Sequence, residues 1–202
     1  VRDISGSLPP QGETISLHEG ELILYLDILP DGEAMLRHLL EQLPWRQDNL
    51  QMGRRCIPIP RLQSWHGEPH CIYTYSQLQL DPLPFTPDLL QMRDIASGLA
   101  GSPLNCVLCN LYRDGRDSVA WHSDDEPELG VNPVIASFSF GTTRRFHLRM
   151  KQDHTRRLHL DLPHNSLLIM RGRLQHVWQH QLPKTVTALP RVNLTFRYIP
   201  LL

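Results

Sequence analysis

The chain has no apolar run near the ~20 residues that a bilayer-crossing helix needs. Its first nineteen residues also lack the basic-then-apolar order of a secretory signal. The expected place of action is therefore inside the cell, in the cytoplasm or, in a nucleated source, the nucleus. No internal repeat and no low-complexity tract occurs. Cysteine is scarce: the four residues stand at 56, 71, 106 and 109, and a single C-x-x-C spacing joins Cys106 to Cys109. No second pair completes a zinc ribbon. Asn105 to Tyr112 reads as a buried strand, and residues three apart on a strand point to opposite faces. The two thiols are therefore expected to fill space as small apolar groups.

Net charge is nearly absent too, at −1 over 202 residues, but it is unevenly spread. Residues 1–50 hold three Lys/Arg against nine Asp/Glu, whereas residues 144–173 hold eight against two. Such asymmetry suggests a side that faces a polyanion, with a solvated hairpin as the plain alternative. The 41% hydrophobic and 20% charged content describes a globular chain long enough for one domain with a sizeable core.

Two helices are predicted. The first follows Pro30-Asp31-Gly32, with Leu36, Leu39, Leu40 and Leu43 on one face and Pro44 closing it. The second opens with Thr86 as cap and Pro87 in the first turn, carries Leu89, Met92, Ala96 and Leu99 as a stripe, and ends at Gly101. From residue 105 the period changes to two. Val134, Ala136, Phe138 and Phe140 alternate with Ile135, Ser137 and Ser139, and Val192, Leu194, Phe196 and Tyr198 with Arg191, Asn193, Thr195 and Arg197. Asp114-Gly115 is a turn signal. Two helices followed by roughly eight short strands predict a mainly β fold, a jelly roll with helices packed outside.

His122 and Asp124 are two apart and share a strand face. They pair an imidazole with a hard carboxylate, and His176 is expected to close the set. Two His and one carboxylate leave open positions on the ion, which suits Fe(II); zinc would favour a tetrahedral site. H-x-D alone is weak among eleven His. The polar face of the last strand adds weight, because Arg191 and Arg197, six apart, lie on the same face. Six residues of strand span about 20 Å, so inward-leaning arginines can converge on one dicarboxylate. The alternative is two structural salt bridges, since an unpartnered buried guanidinium is costly.

Four stretches carry a resemblance: Asn110-Leu-Tyr-Arg-Asp-Gly115, Trp121-His-Ser-Asp-Asp-Glu126, Pro133-Val-Ile-Ala-Ser-Phe-Ser-Phe-Gly141 and Arg191-Val-Asn-Leu-Thr-Phe-Arg197. The sequence resembles the AlkB family of Fe(II)/2-oxoglutarate-dependent nucleic-acid demethylases, nearest its duplex-DNA-repair members. The resemblance implies a double-stranded β-helix. It implies His122, Asp124 and His176 as catalytic iron ligands, and Asn110, Tyr112, Arg191, Asn193 and Arg197 as 2-oxoglutarate contacts. It implies oxidative demethylation of bases such as 1-methyladenine and 3-methylcytosine in DNA with Fe(II), 2-oxoglutarate and O2, releasing formaldehyde, succinate and CO2. Residues 1–104 would supply helices and nucleotide recognition, and residues 105–199 the catalytic core, in a monomer that does not engage a membrane.

The substrate contacts expected on this basis are Met52, Arg61, Tyr73, Tyr75, Asp125 and Glu126. Tyr73 and Tyr75 would clamp the flipped base, with aromatic core as their alternative. Asp125 and Glu126 would favour a cationic base, with a solvated loop as theirs. Met52 stands where duplex-repair relatives carry an aromatic wedge. Arg54, Arg55 and Arg61, with Arg144, Arg145, Arg149, Arg156 and Arg157, could hold phosphates or be solvated surface charges. The rivals are the same chemistry on RNA or protein, a catalytically silent nucleic-acid-binding module, and a metal-binding barrel without redox chemistry.

Overall fold

The structure, a computed structural model, describes residues 11–52, 55–75 and 78–201, and at positions 50–52, 55, 74, 75 and 78 it describes the backbone alone. Arg54 and the side chains of Met52, Arg55 and Tyr75, all expected at the substrate, lie outside the described residues.

Strands β1 (Glu13–Leu17) and β2 (Gly20–Tyr25) form a hairpin that leads into helix α1 (Gly32–Gln42). Strands β3 (Asn49–Met52), β4 (Arg55–Pro58) and β5 (Leu62–Gly67) follow, then β6 (Tyr73–Tyr75), β7 (Leu78–Leu80) and helix α2 (Pro87–Ala100). The remainder is β8 (Cys106–Tyr112), β9 (Val119–His122), β10 (Ile135–Gly141), β11 (Arg144–Met150), β12 (Arg157–Leu162), β13 (Ser166–Gly172), the single turn α3 (Leu174–Val177), β14 (Trp178–Leu182) and β15 (Arg191–Arg197).

Both long helices start and stop on their local signals. Asp31 accepts the Ala34 backbone N–H at 2.8 Å, and Thr86 accepts that of Leu89 at 3.3 Å. Gly101 ends α2 at φ 62°, a left-handed position that suits glycine.

The sheets are antiparallel and make a jelly roll. Seven strands run β1-β2-β13-β10-β15-β8-β5, and four run β12-β11-β14-β9. β1, β2 and β5 enter the larger sheet from before residue 105, so the sheet has no break at 104/105. Period-two alternation sorts its two faces. Val107, Cys109, Phe138, Phe140, Val192, Leu194 and Phe196 pack against Leu39, Leu89, Met92 and Ala96 of the helices. A second cluster, with Leu22, Phe146, Leu148, Met170 and Trp178, fills the space between the sheets. Cys106 belongs to a third cluster with Trp65 and Tyr73, and Cys109 to the first, so the two thiols face opposite ways as expected.

The chain turns at Asp114-Gly115 as expected, with the Asp117 backbone N–H donating to the Asp114 carbonyl at 3.2 Å. Asp114-Gly115 does not join a hairpin, because β8 and β9 lie in different sheets. The backbone at Gly115 pairs instead with Thr185 and Thr187. A Cβ at Gly115 would stand 2.0 Å from the Thr185 carbonyl oxygen, so only glycine fits there.

Candidate active site

Strand register brings the metal-type ligands together. β14 pairs with β9 so that His180 lies opposite His122, with ring centroids 4.2 Å apart. Asp124 follows two residues after His122, and its Oδ2 lies 3.8 Å from His180 Nε2. One ligand atom from each of His122, Asp124 and His180 falls within 4.8 Å of the others, the single such group among the described residues.

His176 is therefore not the third member of the cluster. It sits exposed on α3, where its Nε2 accepts the Asn132 backbone N–H at 3.4 Å. The helical turn at 174–177 breaks the strand alternation and sends that imidazole outward. On β14 the inward positions are Trp178, His180 and Leu182, all buried. This alternation was legible: a histidine at the centre of an apolar strand face is a better candidate than one before it.

The electrostatics suit a cation. Burial holds both imidazoles below their ordinary range, His180 at about 3, so they are neutral and keep a lone pair for a metal. His122 donates its Nδ1–H to the Ala120 carbonyl at 2.8 Å, which leaves Nε2 free. Burial alone would raise the Asp124 carboxyl, but Arg197, His180 and His122 outweigh it and hold it at about 2. Arg197 Nη2 donates to Asp124 Oδ1 at 2.6 Å, which fixes the carboxylate.

The same pocket is walled by Asn110 and Tyr112 of β8, by Arg191, Asn193, Thr195 and Arg197 of β15, and by Arg61 and Tyr73. β8 and β15 pair so that Arg191 lies opposite Tyr112 and Asn193 opposite Asn110. Arg191 donates to Ser139 Oγ at 2.8 Å, and Asn193 to Ser137 Oγ at 2.8 Å. Arg61 is buried and donates to Asn110 Oδ1 at 2.8 Å, so it is a pocket wall rather than a surface phosphate contact. Arg191 Nε and Arg197 Nε and Nη1 are buried with no hydrogen-bond partner among the described residues. Donors of this kind, beside a ligand set of two neutral imidazoles and one carboxylate, fit a keto acid that chelates a metal at one end and pairs with arginine at the other.

The substrate candidates separate. Tyr73 lines the pocket but is itself buried, stacked on Trp65 at 4.8 Å, and donates its hydroxyl to Glu126 Oε1 at 2.6 Å. Trp65, which the sequence reading passed over, thus braces the expected clamp. Glu126 stands behind Tyr73, and burial raises its carboxyl above the ordinary range. Asp125 is exposed and paired with Lys151 at 2.8 Å, away from the pocket walls. Consecutive residues off a strand diverge, and only Glu126 turns inward. Arg144, expected at the surface, is buried. Arg145 and Arg149 point outward from the smaller sheet, Arg145 paired with Asp161 and Arg149 over the Trp121 ring.

A jelly roll whose pocket unites a His-Asp-His set with inward arginines defines a keto-acid-dependent non-haem iron oxygenase. The family model described as the 2OG-Fe(II) oxygenase superfamily matches residues 26–197. The chain is 42% identical to alpha-ketoglutarate-dependent dioxygenase alkB homolog 3 of Mus musculus, an alignment that covers 96% of this chain and 69% of that one. It is 45% identical to DNA oxidative demethylase ALKBH2 of Homo sapiens over 150 residues, 70% of this chain and 57% of that one. A solved structure, that of OsALKBH1, shares the fold at TM-score 0.62 and 16% identity, covering 92% of this chain and 99% of that one. The chain belongs to the AlkB family of Fe(II)- and 2-oxoglutarate-dependent dioxygenases.

Proposed function

We propose that this dioxygenase removes methyl groups from N-alkylated bases in DNA, 1-methyladenine and 3-methylcytosine being the type substrates. The observation that carries this reading is the pocket in which His122, Asp124 and His180 face the same space as Arg191 and Arg197. The names of its relatives, two-thirds of whose length the chain spans in the first case, supply the substrate class.

Fe(II) held by these three side chains would supply oxidation of the methyl C–H by O2, coupled to conversion of 2-oxoglutarate to succinate and CO2. The hydroxymethylated nitrogen then sheds formaldehyde and leaves the repaired base. The chain's own part is orientation and exclusion of water. Arg197 sets the Asp124 carboxylate, and the Ala120 carbonyl sets the His122 tautomer. Arg191 pairs with the distal carboxylate of the keto acid, while Asn110 and Tyr112 line its flank. Tyr73, braced by Trp65 and tied to Glu126, presents an aromatic wall to a base flipped from the stack. Buried carboxylate beside that wall favours a base made cationic by methylation. Tyr75 and Met52 belong to the same proposal as clamp and wedge. Residues 105–199 carry the catalytic core, and residues 1–104 contribute nucleotide recognition. The protein acts as a monomer where DNA is found, in the cytoplasm or nucleus; no helix among the described residues is long and apolar enough to cross a membrane.

The test is incubation with Fe(II), 2-oxoglutarate, ascorbate and an oligonucleotide carrying 1-methyladenine, read by formaldehyde release and by mass of the base. Repair of the DNA oligonucleotide is expected. Repair confined to the matching RNA would move the substrate, and keto-acid turnover without loss of methyl from either would contradict the reading.

A further inference from the structure

Arg144 has no place among the family-type contacts above, yet it is 2% exposed and lies on the inward face of β11 with Phe146, a pocket wall. Its guanidinium donates only to backbone carbonyls: Asp117 O at 3.0 Å, Pro183 O at 2.5 Å and Asp114 O at 3.4 Å. The two carboxylates of that turn are already taken, Asp117 by Arg113 at 2.8 Å and Asp114 by Arg116 at 2.6 Å. Asp114 and Asp117 stand near enough to attract its charge, yet no carboxylate among the described residues pairs with Arg144 directly. Its Cζ lies 5.8 Å from the centre of the Tyr112 ring, and Arg191 Cζ lies 5.3 Å from the same centre. Two buried guanidiniums thus flank one phenol at the end of the pocket away from the His-Asp-His set.

We propose that Arg144 is a positioning residue that makes this end of the pocket a two-cation pole, with Tyr112 between the cations, so that the site selects a keto acid bearing a second carboxylate. Arg191 touches the carboxylate; Arg144 acts through Tyr112 and through the field it adds. Two cations at one pole raise the cost of leaving it without an anion, so a keto acid with an uncharged tail is rejected. The carbonyls of Asp114, Asp117 and Pro183 hold Arg144 in place without cancelling its charge, as a carboxylate would. This inference rests on the co-substrate reading of the pocket.

The test is calorimetric binding of 2-oxoglutarate, and separately of 2-oxobutyrate, to the Mn(II)-loaded protein without oxygen. Arg144→Gln keeps an N–H donor for the carbonyls and removes the charge; Arg144→Lys keeps the charge. Arg144→Gln is expected to weaken 2-oxoglutarate roughly tenfold, the scale of a charge felt across several ångströms of protein interior. It should leave 2-oxobutyrate within about twofold, and Arg144→Lys should restore most of the loss. Equal weakening of both acids, or failure of Arg144→Gln to fold while Arg144→Lys binds no better than Arg191→Met, would make Arg144 merely structural and overturn the proposal. Unchanged 2-oxoglutarate binding in Arg144→Gln alone would also overturn it. Unchanged binding in Arg191→Met as well would instead refute the co-substrate reading.

Discussion

The two ends of β15 carry the same residue in opposite electrostatic states. At one end, Arg197 pairs with Asp124 at 2.6 Å, and although burial opposes its charge, the carboxylate raises its pKa above the ordinary arginine value. At the other end, Arg191 has a hydroxyl and an aromatic ring for company, and burial lowers it to about 10. Arginine is thus charge-compensated where a carboxylate of the chain pairs with it and uncompensated where none does. Of the two alternatives open for these arginines in the sequence, Arg197 makes an internal salt bridge and still keeps Nε and Nη1 unpaired, whereas Arg191 has no carboxylate partner among the described residues.

The sharpest way to break this contrast is at the compensated end. Asp124→Ala removes a metal ligand and strands Arg197, so turnover should vanish and stability should fall by about 3–5 kcal/mol, the usual cost of orphaning a buried charge; denaturant unfolding of the metal-free protein measures it. At the uncompensated end the opposite is expected. Arg191→Met should weaken 2-oxoglutarate by about 2 kcal/mol or more, roughly 30-fold, while the midpoint of unfolding without ligand stays level or rises. A stability loss equal to that of Asp124→Ala would abolish the distinction between the two ends. Within the metal set, His180→Ala should cost more turnover than the roughly 10–100-fold typical of losing an outer partner, whereas His176→Ala should retain turnover near the parent. Smallest of all, Asp125→Asn should change stability by less than about 1 kcal/mol, as for an exposed pair, and leave the kinetics of demethylation within about twofold; a large loss would return Asp125 to the site.

Legibility followed the period-two pattern. Where a strand ran unbroken, alternation set Arg191 with Asn193, Thr195 and Arg197 on one face, and the family resemblance pointed to Asn110 and Tyr112, which alternation also lets share a face; all six line the pocket. Helix caps at Asp31 and Thr86 were equally plain, because capping is local. The misreadings came where the chain leaves a strand. A helical turn before β14 displaced His176 and hid His180. The end of β9 sent Asp125 outward and Glu126 inward. Arg144 looked like one more charge in a basic segment, but the first inward position of β11 buries it. The contributions of β1, β2 and β5 to the larger sheet depend on long-range pairing that periodicity does not encode. Trp65 braces Tyr73 across two strands with no sequence signal linking them.

The central claim is that His122, Asp124 and His180 grip one Fe(II) whose open positions accept a keto acid. Anaerobic addition of Fe(II) and 2-oxoglutarate should produce the visible charge-transfer absorption of an iron–keto-acid chelate. That band is expected in the parent protein and in His176→Ala, and should be lost in His180→Ala. A band that survives in His180→Ala and disappears in His176→Ala would contradict the account.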